Sequence, residues 1–116
     1  MVLELRQHQD LEQLLERSKT DPVLIFKHST QCSISDQAYD EFTRFAGMAG
    51  DLNCGLVLVI ENRDLSNAIA SRLGVRHESP QAIVVRDGKP EWNASHWSIT
   101  AEALNKAIGN EPCPIV

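Results

Sequence analysis

Cys32 is the residue whose type and place most plainly allow chemistry. It closes a polar stretch, His28-Ser-Thr-Gln-Cys32, that follows the apolar run Val23-Leu-Ile-Phe26. A stripe at helical spacing comes next, with Ile34, Ala38, Phe42, Phe45 and Ala49 on one face. A thiol between a buried strand and the first residues of a helix meets unpaired backbone N–H groups and the positive end of the helix dipole, and both stabilise an anion. Thiolate is the species that attacks a disulfide, so this position favours thiol–disulfide exchange. Ser35, three residues on, takes the second position of a C-x-x-S spacing, where a dithiol enzyme carries its resolving cysteine. A hydroxyl there can hydrogen-bond but cannot release a mixed disulfide, so another thiol must finish the reaction. A lone cysteine after a strand is also often just a small buried hydrophobe, and spacing alone leaves both readings open.

Other residues could share the site. Ser79-Pro80 directly precedes a strand-like run, Ala82 to Val85, where proline reads either as an ordinary trans residue or as a sharply shaped cis turn. His28, close to Cys32, is a candidate to stabilise the thiolate. His28, His77 and His96 share no short metal-ligand spacing, which favours structural or proton-handling roles and no bound metal. His96-Trp97 either flanks the same cleft or packs on the sheet. Cys54 reads as a packed core thiol. Cys113, between Pro112 and Pro114, is either a tail thiol able to reach and resolve a mixed disulfide on Cys32 or a cysteine of no consequence. Asp10, Glu12, Glu16 and Arg17 read as a solvated helix face.

The elements that must position these residues follow from periodicity. Met1 to Glu4 can open as a strand, and Asp10 to Ser18 carries Leu11, Leu14 and Leu15 at helical spacing. Val23 to Phe26 and Leu56 to Ile60 read as buried strands, with a helix from Ser33 between them. Leu65, Ala68, Ile69 and Leu73 form a further helical stripe, stopped by Gly74. Ala82 to Val85, a turn at Asp87-Gly88, and the residues from Glu91 onward form a hairpin. Thr100 can cap a last helix whose inner face is Ala103, Leu104, Ala107 and Ile108. Strands alternating with helices predict an α/β fold with a parallel half, followed here by an antiparallel hairpin and a C-terminal helix. Residues 1–110 read as one domain and 111–116 as a tail.

Bulk properties narrow the partners. The chain has 116 residues, 42% of them apolar and 23% charged, an ordinary balance for one globular domain. A net charge of −5 with scattered Lys and Arg argues against a nucleic-acid surface. The longest apolar run, Leu56 to Ile60, is far too short to cross a bilayer, and the first residues do not resemble a secretion signal. Three irregularly spaced cysteines do not make a disulfide framework, which points to a reducing, cytoplasmic setting.

Three segments in order, Phe26-Lys-His-Ser-Thr-Gln-Cys-Ser-Ile-Ser35, Gly74-Val-Arg-His-Glu-Ser-Pro-Gln-Ala82 and Asn93-Ala-Ser-His-Trp97, resemble the thioredoxin superfamily. More closely, they resemble its monothiol bacilliredoxin family, also described as bacillithiol-system YtxJ-like proteins. The resemblance implies a thioredoxin-like fold and removal of bacillithiol, or a similar low-molecular-weight thiol, from protein mixed disulfides. By the same resemblance Cys32 is the nucleophile, Ser35 stands in place of the absent second thiol, and Pro80 lies against the sulfur. The Ser79 backbone pairs with the incoming chain, and Thr30 and Ser33 border the substrate. Ser33 departs from the family's usual proline after the cysteine, giving up a preset helical geometry and adding a donor. No metal or nucleotide is needed; the small thiol is a co-substrate. Two other classes stay open: an iron–sulfur carrier of the monothiol-glutaredoxin kind, which lacks here the loop glycine that lets a cluster approach, and a binding module using the Pro80 edge without turnover.

Overall fold

A computed structural model describes residues 1–109; the 111–116 tail, with Cys113, lies outside the described residues. Strands and helices alternate in the expected order: β1 (Val2–Glu4), α1 (His8–Arg17), β2 (Val23–His28), α2 (Ser33–Met48), β3 (Asn53–Leu58), α3 (Arg63–Leu73), β4 (Gln81–Arg86), β5 (Lys89–Ser95), a 3-10 turn (His96–Ser98) and α4 (Ala101–Ile108). The strands form a single sheet in the order β1-β3-β2-β4-β5. β1, β3 and β2 run parallel; β4 is antiparallel to β2, and β5 to β4. This is the parallel half plus hairpin expected from the sequence.

The central strand β2 is buried along its whole length. Its side chains alternate between two cores, as the pleat requires. Val23 and Ile25 join Leu11, Leu14, Leu65 and Ile69 under α1 and α3. Leu24 and Phe26 join Ala38, Phe42, Phe45 and Leu104 under α2 and α4. The Phe26 and Phe42 rings stack with centroids 4.7 Å apart and planes 6° apart, an arrangement worth about 0.5–1.5 kcal/mol beyond area burial.

Two strand boundaries differ from the expected ones. β2 does not stop at Phe26 but continues through Lys27 and His28, both buried, because each pairs with β3 and Lys27 also with β4. β3 begins at Asn53 and ends at Leu58, rather than spanning Leu56 to Ile60, because its partners on either side are Val23–His28 and Val2–Glu4. Beyond it Ile60 is exposed in the turn that leads to α3.

The helix ends are local chemistry. Asp10 is more than a solvated face: its carboxylate accepts the N–H groups of Arg6 at 2.9 Å and Gln7 at 3.0 Å, anchoring the start of α1. Glu12 pairs with Arg72 of α3, which also takes it out of the purely solvated set. Thr100 Oγ1 accepts the Ala103 N–H at 3.0 Å and caps α4. Asp87 and Gly88, at φ 55° and 72°, form the tight turn between β4 and β5. Ser18, at the end of α1, accepts the Asp87 N–H on its carbonyl at 2.7 Å and the Gly88 N–H on its hydroxyl at 2.9 Å, pinning the hairpin tip.

Gly55 of β3 marks a close approach. A Cβ there would lie 2.7 Å from Leu14 Cδ2 and from Leu5 Cδ1, and both leucines are buried. Gly55→Val therefore overpacks the α1 side of the sheet. Urea denaturation should show a loss of about 1–3 kcal/mol, and an unchanged midpoint would contradict this packing.

Candidate functional site

Cys32 is the N-cap of α2, with extended backbone (φ −132°, ψ 123°) and no side-chain capping hydrogen bond. Its carbonyl accepts the Asp36 N–H at 3.1 Å, and its own N–H reaches the Ser29 carbonyl at 3.4 Å. The thiol is half-buried and free. An N-cap side chain ordinarily accepts from the first-turn amides, so a sulfur in this place stands before donors suited to negative charge.

Ser35 and His28 are brought together. Ser35 is buried on the inner face of α2, the side expected for Ile34, which is only half-buried. Its Oγ accepts the Ser29 N–H at 2.8 Å and lies 2.7 Å from His28 Nδ1, with one proton shared along that contact. The His28 ring stacks on Tyr39 of α2 at 4.6 Å and on Phe26 at 6.0 Å. Burial lowers the His28 pKa below its ordinary 6.5, against smaller opposing effects of Asp36 and Glu61, so the ring is neutral at neutral pH. The hydrogen bonds of His28 and Ser35 thus close the loop that carries Cys32, and a neutral ring brings no cation to the sulfur.

The Ser79–Pro80 peptide bond is cis. Gln81 pairs with Lys27 in the register of β4 and β2, so Pro80 stands at the sheet end from which the Cys32 loop departs. The Pro80 carbonyl accepts the His96 N–H at 3.1 Å, and His96 takes a left-handed backbone with φ 54°. The 3-10 turn that starts at His96 packs against α2, so this corner flanks the Cys32 helix. Glu78 lies 3.9 Å from His96 Nε2, and Trp97 is 62% exposed. Thr30 and Ser33 are exposed on the loop and first turn. Ser79 Oγ is buried without a hydrogen-bond partner among the described residues.

Among the described residues the other thiol is the core residue expected. Cys54 is buried under α2 and α4, and burial pushes its pKa up to about 11, far from a reactive thiolate. Among the described residues no group of three or more His, Cys, Asp and Glu is arranged to hold a metal ion. The three candidate histidines diverge: His28 bonds Ser35, His77 bonds Lys27, and His96 faces Glu78. Among the described residues, no helix is long and apolar enough to cross a membrane.

The chain matches the family model described as Monothiol bacilliredoxin BrxC over residues 3–104. The chain belongs to the monothiol bacilliredoxin family. Among solved structures, a candidate oxidoreductase with a thioredoxin fold shares 36% identity, with a TM-score of 0.83 over 91% of this chain and 92% of that one. Thioredoxin from Fasciola hepatica shares 17% identity at a TM-score of 0.74, covering 94% of this chain and 98% of that one. A thioredoxin variant from Halobacterium salinarum shares 22% at 0.72, covering 97% and 94%. The two thioredoxins establish the fold alone. Family membership makes the chain a thioredoxin-like redox protein whose partners are proteins or thiols. Two residues of the site escaped sequence reasoning. Tyr39, the platform for His28, is signalled only by its position one turn after Ser35. Lys27 is signalled by a charge continuing the alternation of β2.

Two outcomes follow from the His28–Ser35 contact. Ser35→Ala strands the part-buried Ser29 N–H and the buried His28 Nδ1, so chemical denaturation should show a loss of about 1–3 kcal/mol. The lowered His28 pKa means the folded state binds fewer protons than the unfolded one as pH falls below 6.5. Stability therefore declines on acidification through that window, and flattens once the folded ring protonates. His28→Phe should shrink this decline in urea melts compared between pH 7.5 and 5; an equal decline in the variant would exclude His28 as its source.

Proposed function

We propose that this protein is a monothiol–disulfide oxidoreductase that removes bacillithiol, or a similar low-molecular-weight thiol, from protein mixed disulfides through Cys32. The observation that carries the reading is a half-exposed thiol at the N-cap of α2, at the sheet end where Pro80 also stands. Cys32 thiolate attacks the small-thiol sulfur of the mixed disulfide. The bond between that sulfur and the protein substrate breaks, and the substrate leaves as thiolate and takes up a proton. Cys32 is left disulfide-bonded to the small thiol. A second small-thiol molecule attacks the carried thiol's sulfur, forms the symmetric small disulfide and returns Cys32 as thiolate.

In this reading Ser35 and His28 hold the loop rather than exchange protons with the sulfur, because their bonds are spent on each other and on Ser29. Ser35 also explains why exchange stops at the mixed disulfide: the C-x-x-S position offers a hydroxyl that is already engaged. Ser79, in the loop two residues before β4, offers backbone groups along which a substrate chain can align. Thr30 and Ser33 are exposed and stand on either side of the sulfur in sequence, with exposed Gln31 between Thr30 and Cys32. Cys113 remains a candidate resolving thiol. The site of action is the cytoplasm.

The test is direct. Reduced protein is mixed with one substrate carrying either bacillithiol or glutathione, and products are followed by mass spectrometry. The adduct should move onto Cys32, faster from the bacillithiol-modified substrate, while Cys54 stays unmodified. Cys32→Ser should abolish release, and Cys113→Ser should slow regeneration only if the tail resolves the adduct. Inertness of the wild type toward both substrates would sink the reading.

A further inference from the structure

Lys27 is fully buried, unlike every other lysine or arginine among the described residues. It lies on the face of β2 opposite His28, in line with Val23 and Ile25. No carboxylate pairs with it among the described residues. Its Nζ bonds His77 Nδ1 at 3.2 Å, and Ser66 Oγ of α3 lies 3.3 Å from the same ring nitrogen. Burial lowers the Lys27 pKa to about 8, which still leaves an ammonium at neutral pH. An ammonium only donates, so Nδ1 accepts and the His77 proton sits on Nε2.

Burying an ammonium against a neutral ring is costly, and an apolar side chain of the same length would fill the space. What Lys27 holds explains its presence. His77 is exposed and lies three residues before Pro80. Gln81, the cross-strand partner of Lys27, is also buried, and its Nε2 donates to the Arg76 carbonyl at 2.9 Å. Two buried side chains, from the ends of neighbouring strands, therefore grip residues 76 and 77 of the loop that delivers Ser79 and Pro80. One of those strands leads to Cys32 five residues later.

We propose that Lys27 and His77 are positioning residues for exchange at Cys32: their bond ties the strand that feeds the nucleophile loop to the loop that aligns the substrate chain. The inference rests on Cys32 being the nucleophile, and deepens that reading by separating alignment from sulfur reactivity. The tie is also sensitive to acid. Protonated His77 loses its acceptor and faces Lys27 as a second cation. Besides burial, Lys27 on β2 and Arg63 on α3 disfavour that proton and Glu78 favours it, while Ser66 and Gln81 are neutral. The His77 pKa thus lies below 6.5, and the grip weakens as pH falls below that value.

The experiment compares wild type, Lys27→Met, His77→Ala and His77→Gln on a bacillithiol-modified protein. It records kcat and KM, the rate of Cys32 alkylation by iodoacetamide, and the melting temperature. Lys27→Met should melt no lower than wild type, because it removes a buried charge, yet lose about tenfold in kcat/KM, mainly through KM. Its alkylation rate should stay within about twofold of wild type, since the sulfur itself is untouched. His77→Ala, at an exposed position that tolerates substitution, should repeat the loss, and His77→Gln, which keeps an acceptor, should recover most of it. In wild type KM should rise between pH 6.5 and 5 more steeply than in Lys27→Met. Unchanged kcat/KM in Lys27→Met and His77→Ala overturns the inference, as does a fall in alkylation proportional to the fall in exchange. If Lys27→Met does not fold, His77→Ala carries the same decision. Absence of wild-type turnover sinks the Cys32 reading instead, so the two failures are told apart.

Discussion

The Ser35 hydroxyl holds together the three pieces from which the site is made. It belongs to the first turn of α2, accepts the N–H of Ser29 in the loop, and meets His28 at the end of β2. A buried hydroxyl with both partners engaged is stable, whereas leaving the two groups unpaired would be costly. This knot fixes where β2 ends and where α2 begins. Cys32 is the last of only four residues between those points, so its position follows. The sulfur sits at a helix N-cap because the chain has nowhere else to place it.

β2 carries this burden because it is covered on both faces. Its apolar residues supply two cores, and its last two residues are polar side chains that point opposite ways. His28 goes to α2 and the nucleophile loop; Lys27 goes to α3 and the loop before Pro80. The end of one strand thereby addresses both walls of the candidate site. Neither residue is an economical choice for a protein interior, since burial opposes protonation of both. Local departures from a well-packed apolar interior are expected at functional sites, and here they cluster at the sheet end that bears Cys32.

The contrast between the two described cysteines makes the same point. Cys54 and Cys32 lie in one small domain, yet one is enclosed by α2 and α4 and held as a thiol, and the other is partly open at a helix start. Residue type alone does not separate them. What separates them is the strand-to-helix turn that places Cys32 at the N-cap of α2, beside the loop and corner that carry Pro80 and His96. The corner at His96, bonded to the Pro80 carbonyl, ties β5 into the same surface.

The order of elements, their amphipathic faces, the hairpin turn and the Cys32 position were all legible in the sequence. Each depends on a period or cap that spans only a few residues, as with Thr100 before α4 or Asp87-Gly88 between β4 and β5. The limits of β2 and β3 were not, because a strand ends where its partners end, and the partners of β3 are β1 and β2. Nor could periodicity decide between Ile34 and Ser35 as the inward residue of the first turn of α2, or join Lys27 to a histidine 50 residues away. Local spacing therefore determined which residue types stand at the turn after β2. The strand order β1-β3-β2-β4-β5 decided which distant side chains meet there, because only the assembled sheet brings the Pro80 loop beside the strand that leads to the thiol.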